Sequence, residues 1–564
     1  MTALGAFTFV LHSHLPYVRL AGRWPHGEEW IHEAANETYI PLLNMLYDLK
    51  EEGVPFSITI GLTPVLAEQL ADPDVLEHFD QYLVERIEAA KRDVEYFLTP
   101  GSENGHLRFL AEWYRDSHEK TRTSFNERFN RDLIGAFRRL QDAGCIEIIT
   151  SAATHGYLPL LSRDSSVRAQ LKTGVRSYER IFGTSPRAVW LPECAYRPAY
   201  ITETGRKRAG LETLLAENDL RTFFSETHTI TGGSPVGVAT GDVIGPYGAI
   251  KRRYVIPTTD QFNTGKKTAT TFQPYYVSDT TNYPETHTHS GVAVIGRNQK
   301  VGEQVWSAQY GYPGDFDYRE FHKKAGTSGL QYWRISGAKV ELGDKDFYHP
   351  DWAEYKVDQH AEHFAHLVGD QLRQYHNQTG KFGLVSANYD TELFGHWWFE
   401  GVNWLGKVIR HLNQHPEVEL TSASQFIEKH PPENVLDLPE SSWGAGGTHF
   451  VWDNTETHWM WSPIHEIEER MEVLASNFNA PSDQELLVLN QAAREALLVQ
   501  SSDWSFLVTT GQAREYAIRR FSQHVERFEK LAASLEAGNP NVEAAQEYWE
   551  LDRIFSDIDY RWFR

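Results

Sequence analysis

Four segments of the chain place polar, chemistry-bearing side chains directly after apolar runs. They are His12-Ser13-His14-Leu15-Pro16-Tyr17, Ala153-Thr154-His155-Gly156-Tyr157, Pro192-Glu193-Cys194 and Tyr389-Asp390-Thr391-Glu392, the last leading into Phe394-Gly395-His396-Trp397-Trp398. Glu193 follows the apolar run Ala188–Leu191, where a carboxylate is partly desolvated; a salt bridge to Arg197 is its structural counter-reading. Asp390 has the same placement, with Glu392 and Glu400 as rivals that spacing alone does not separate. Two carboxylates facing each other across a barrel mouth suit glycosyl transfer. One attacks the anomeric carbon, and the other protonates the departing oxygen and later deprotonates the acceptor. His12 and His14 lie two apart, so a continued strand puts them on one face. That pattern also fits a metal-dependent hydrolase, with His155 and Asp390 as further ligands. A non-catalytic glucan-binding protein would use the aromatic residues but would not require two strand-end acids.

The elements that must position these residues read as strands alternating with helices. The β-rich runs are Phe7–Leu11, Phe56–Gly61, Ile146–Thr150, Ala188–Leu191, Phe223–Ser225, Gly291–Arg297, Gly383–Asn388 and Val418–Thr421. Such alternation predicts parallel βαβ units in an α/β barrel or a doubly wound sheet, and barrels carry their catalytic groups at strand C-termini. Helical spacing covers Glu37–Glu52 and Val75–Phe97, and 65–140 reads as a helical excursion from the barrel. Residues 227–290, rich in Gly, Thr, Pro and Tyr, read as an extended, irregular region with few helical signals and short strand-like pieces. After the Pro/Gly-rich connection 430–449 the pattern is helical, as in Ser482–Gln500 and Gly511–Leu535, the latter stopped at Gly538-Asn539-Pro540. These features predict a catalytic domain over 1–429 and a C-terminal helical domain over 430–564.

Composition narrows the class. With 564 residues the chain can bury a large core, and its two cysteines, Cys145 and Cys194, exclude a disulfide framework and suit a reducing compartment. A formal charge of −23 repels phosphate backbones and anionic lipid, so nucleic acid and membrane surfaces are poor partners. No apolar run reaches the roughly 20 residues of a membrane helix. The start lacks a basic leader and a cleavage site, so no signal peptide is expected and the expected location is cytoplasmic. The 17 Trp and 26 Tyr suit an uncharged, sugar-like substrate as well as core packing.

The segments HSHLPY (12–17), ATHGYLP (153–159), WLPECAY (190–196) and YDTELFGHWW (389–398) resemble motifs of glycoside hydrolase family 57. Three more, VWSAQYGYPGDFDYREFH (305–322), SSWGAGGTHFVW (441–452) and SSDWSFL (501–507), look like those of its 1,4-α-glucan branching enzymes, and the resemblance runs over almost the whole chain. It implies a retaining enzyme on a distorted (β/α)7 TIM-like barrel, without metal or cofactor, acting on α-1,4-glucan. Monomeric behaviour would suit this reading. By motif match, Glu193 would be the nucleophile and Asp390 the general acid/base. Arg297, Gly314, Trp443 and Asp503 would hold the glucan, while Trp306, Trp452, His12, His14 and His155 would line the cleft. Gly245-Pro246-Tyr247-Gly248 resembles the tip of a loop that carries a tyrosine over the cleft, although 227–290 is longer than the family pattern. A relative that only hydrolyses α-1,4-glucan (an α-amylase) or disproportionates it (a 4-α-glucanotransferase) would share every catalytic residue.

Overall fold

The computed structural model describes residues 3–240, 254–257, 269–282, 288–307 and 310–564. Seven parallel strands curl into a barrel: β1 (Gly5–Ser13), β2 (Ile58–Leu62), β3 (Ile146–Ser151), β4 (Val189–Trp190), β5 (Thr222–Ser225), β6 (His289–Gly296) and β7 (Gly383–Asp390). The hydrogen-bonded order is β7-β1-β2-β3-β4-β5-β6. No ladder joins β6 to β7 among the described residues, and the seam is bridged by Asn298 N–H donating to the Ser386 carbonyl at 2.9 Å. A distorted (β/α)7 barrel is therefore observed. The eighth run of the sequence, seen as Val418–Leu420, is not a barrel stave but pairs with the first residues of β1.

Alternation along each strand decides what the barrel mouth contains. Ala6, Val10, Ile149, Ala188, Trp190, Phe224, Ala293, Ile295 and Leu384 pack together in the barrel interior. Side chains two apart share a face, so His12 on β1 and Asp390 on β7 continue that inward set, as do Glu226 just after β5 and Arg297 just after β6. Phe7, Phe9 and Leu11 take the opposite parity and pack outward with Phe364 and Trp404 from the surrounding helices.

The excursion 65–140 is helical, as expected, with helices at Pro64–Leu70, Pro73–Tyr96, Gly105–Thr123 and Leu133–Asp142. The described parts of the region 227–290 hold the short strand pieces expected there. They contribute a short helix, Thr227–Thr231, and strands Ser234–Thr240, Tyr254–Pro257 and Tyr275–Ser278. These strands continue the sheet beyond β6, together with Asn434–Asp437, which lies just past the expected boundary at 429/430. Short strands rich in Gly and Thr, with long connections, leave no periodicity to read. The C-terminal region packs helices Trp461–Asn477, Asp483–Val499, Ser502–Thr510, Arg514–Glu536 and Val542–Leu551 on one another. A Ser482–Glu485 capping box starts the second of them.

Candidate active site

Glu193 sits one turn beyond β4 in a left-handed conformation (φ 60°, ψ 25°), an uncommon backbone state for a non-glycine residue. Its carboxylate is largely buried and each oxygen has its own donor. The Trp443 indole N–H donates to Oε2 at 2.7 Å and the Ser502 hydroxyl to Oε1 at 3.1 Å. The Trp443 backbone N–H also donates to the Glu193 carbonyl at 3.0 Å. Burial raises the Glu193 pKa, opposed by the Trp443 and Ser502 hydrogen bonds and by His14. Arg197, the expected salt-bridge partner, instead donates to the Pro198 and Ala209 carbonyls, so the structural counter-reading of Glu193 is not what is seen.

Asp390 ends β7, paired in register with His12. Among the described residues no side chain donates a hydrogen bond to it. Burial pushes its pKa well above the usual carboxylate range; the nearby charges of Glu392 and Glu193 push the same way, and Arg297 opposes them. The rivals are otherwise engaged. Glu392 accepts from the Tyr39 hydroxyl and from the His14 backbone N–H, and Glu400 from Tyr348 and the Arg319 backbone N–H. Gly395, at φ 105°, lets this turn close on the Glu37 carbonyl, where a Cβ would sit 1.9 Å from the oxygen.

The three histidines stack beside Glu193. His14 lies face to face with His155 (centroids 3.8 Å), and His12 stacks on Trp190 (4.6 Å). His12 Nε2 and His155 Nε2 are 3.1 Å apart, His155 Nδ1 is 2.8 Å from Ser502 Oγ, and His14 bonds Thr63 at 3.2 Å and Asp503 at 2.9 Å. Burial drives His12 and His155 well below the ordinary histidine pKa, with His14 adding to it. Burial acts on His14 too, but Asp503, Glu193 and Glu392 outweigh it and raise its pKa. Both ring nitrogens of His14 and of His155 have protein partners, as has His12 Nε2, while His12 Nδ1 is buried without one.

Arg297 pairs with Glu226 at 2.7 Å, across β6 and β5. Trp443 lies edge-on to Trp190 (5.3 Å). Trp452, expected to offer a stacking face in the cleft, is 1% exposed. Its ring is stacked on Tyr157 at 4.3 Å and abuts Gly444, so it builds the wall behind the site. Gly314 lines a separate cavity of about 620 Å³ with Tyr310, Tyr312, Asp315 and His360, and Trp306 is partly exposed at the end of helix Gln299–Trp306. Neither is joined to the Glu193 cluster by a hydrogen bond or ring contact among the described residues. Tyr247 lies outside the described residues. Sequence reasoning missed Ser502 and Glu226; position 502 stood inside SSDWSFL, but only its neighbour Asp503 was singled out.

The glycosyl hydrolase family 57 model matches residues 8–439, and the model of the 1,4-alpha-glucan branching enzyme C-terminal region matches residues 463–563. The chain is 44% identical to 1,4-alpha-glucan branching enzyme TK1436 of Thermococcus kodakarensis, over 98% of this chain and 78% of that protein. The structure of a GH57-type branching enzyme from Pyrococcus horikoshii superposes with a TM-score of 0.85 at 40% identity, covering 99% of this chain and 97% of that one. The alpha-amylase AmyC from Thermotoga maritima gives a TM-score of 0.81 at 30% identity, covering 99% of each chain. With the family match spanning most of the barrel and the branching-enzyme match spanning the C-terminal helices, the chain belongs to glycoside hydrolase family 57.

Proposed function

We propose that the protein is a 1,4-α-glucan branching enzyme in which Glu193 is the nucleophile and Asp390 the general acid/base. The observation that carries the assignment is the unlike setting of the two carboxyl groups. Glu193 has a donor on each oxygen, which suits an ionised nucleophile, whereas Asp390 is desolvated beside like charges and suits a proton donor. Glu193 attacks the anomeric carbon of an α-1,4 linkage while Asp390 gives its proton to the departing glucan oxygen, which leaves a covalent glycosyl-enzyme. A retaining site of this kind holds its carboxyl groups about 5–5.5 Å apart. Asp390, now the base, takes the proton of a sugar 6-hydroxyl, whose oxygen displaces Glu193 and forms the α-1,6 branch. His14 and Asp503, Trp443 and Arg297 would line the sugar path, and residues 430–564 would serve as a helical domain completing the cleft. The free cysteines and the charge suit a cytoplasmic enzyme acting on an uncharged polymer such as a glycogen-like glucan. Among the described residues no helix is long and apolar enough to cross a membrane.

The test is amylose incubated with the purified protein, followed by a debranching enzyme. Short linear chains released only after debranching are expected, and Glu193→Gln should abolish them. The likeness to AmyC gives a specific second reading, hydrolysis. A rise in reducing ends with nothing released on debranching would select it.

A further inference from the structure

We infer that Ser502 is a positioning residue for Glu193, its hydroxyl fixing the carboxylate and setting one hydrogen-bond direction through His155 to His12. The inference rests on the proposed role of Glu193. A carboxylate only accepts, so the Ser502 hydroxyl must donate to Oε1 at 3.1 Å. Towards His155 Nδ1, 2.8 Å away, the same hydroxyl then accepts, so Nδ1 carries the hydrogen. His155 Nε2 is left as a bare acceptor and takes the hydrogen of His12 Nε2 at 3.1 Å. His12 Nδ1 ends the chain, buried and unpartnered, as a neutral ring requires. Every link in the sequence His12, His155, Ser502, Glu193 therefore donates in one direction.

Ser502 is itself held rigidly. It is 1% exposed, opens helix Ser502–Thr510, and its backbone N–H donates to the His155 carbonyl at 3.1 Å. With Trp443 on Oε2, the carboxylate cannot rotate without losing both donors. Glu193 therefore meets the anomeric carbon in one orientation, and the two donors favour its ionised form against the burial that raises its pKa. The charged or titratable groups facing it are His14, His155, Tyr157, Cys194, Asp503 and Asp390. None of these takes over the Oε1 hydrogen bond; His155 Nδ1 lies 3.7 Å away.

The test is the pH profile of kcat/KM for amylose branching in Ser502→Ala, with melting temperature measured alongside. Loss of one charge-assisted donor should lower kcat/KM roughly ten- to a hundredfold. The acidic limb should move to higher pH, because Glu193 then holds its proton more tightly. A folded Ser502→Ala enzyme with the wild-type acidic limb overturns the inference, since a merely structural serine would change the melting temperature and leave the limb in place. If the alanine variant does not fold, Ser502→Cys is read instead, with the same upward shift expected and an unmoved limb again refuting it. Wild-type protein that makes no branches refutes the proposed function whatever Ser502 does. An active Glu193→Gln enzyme removes both assignments.

Discussion

Asp390→Asn keeps the shape of the side chain and removes the proton it would deliver. General acid catalysis contributes about 10²–10⁴ in rate, or roughly 3–5 kcal/mol of barrier. The structure argues for the upper half of that range. Asp390 is desolvated and repelled by Glu392 and Glu193, which favours its protonated form, and Arg297, the opposing charge, is already paired to Glu226. The size of the loss must depend on the leaving group. A glucan hydroxyl leaves poorly without the proton, whereas fluoride leaves an α-maltosyl fluoride without help. Initial rates with amylose and with the fluoride, measured on one variant preparation, separate the two cases. Amylose turnover should fall by about 10²–10⁴ while the first fluoride release falls far less, and the basic limb of the pH profile should disappear. Equal loss on both donors, or an amylose rate within about tenfold of wild type, would show that Asp390 is not the acid.

Three further outcomes are expected. Glu226→Gln leaves Arg297 unneutralised, which lowers the Asp390 pKa, so the basic limb should move down by on the order of half a pH unit; an upward shift would contradict the pairing. Trp443→Phe keeps the ring edge on Trp190 but removes the donor to Glu193 Oε2, so kcat/KM should fall by about tenfold or more and the acidic limb should rise, measured as for Ser502. Glu392→Gln should keep branching activity and flatten the pH dependence of stability. Burial raises the Glu392 pKa to about 7 from 4.5, so the native state binds more protons than the unfolded one between those values, and stability falls as pH rises through that window, by about 3 kcal/mol in all. Denaturant melts at the two ends of the window would show whether the slope is lost, and an inactive Glu392→Gln enzyme would revive Glu392 as the rival of Asp390.

Much of the barrel mouth was legible because strand geometry repeats every two residues. The strand runs placed His12 and Asp390 at strand ends, and the structure adds that the inward parity of Ala6 and Leu384 carries through to both. Glu193 was legible for a related reason, as an acid closing an apolar strand. What failed was everything set by contact between distant segments. Trp452 stood in a recognisable motif, yet whether an aromatic ring faces a cleft or a core depends on its neighbours, here Tyr157 and Gly444. The strand pieces within 227–290 were legible but not their pairing, because the partner Asn434–Asp437 lies far along the chain. Ser502 is 309 residues from the carboxylate it contacts, and a serine in the first turn of a helix reads as a cap before it reads as anything else.

The placement of those distant contacts gives the C-terminal region a part in the chemistry. Glu193, the proposed nucleophile, and the three histidines come from the barrel, but their ordering partners do not. Both side-chain donors to Glu193, the acceptor for His155 Nδ1 and the carboxylate beside His14 belong to Trp443, Ser502 and Asp503. Backbone bonds tie the same pieces together, from Trp443 N–H to the Glu193 carbonyl and from Ser502 N–H to that of His155. A barrel without these segments would keep both carboxyl groups and lose the difference between them. Glu193 would then lack both donors that favour its ionised form, and His14 would lose the acceptor that raises its pKa. On this argument the segments after the barrel are not an appended module; under the proposed roles they distinguish the two buried acids, and loosening their dock should raise the acidic limb before it lowers the melting temperature of the barrel.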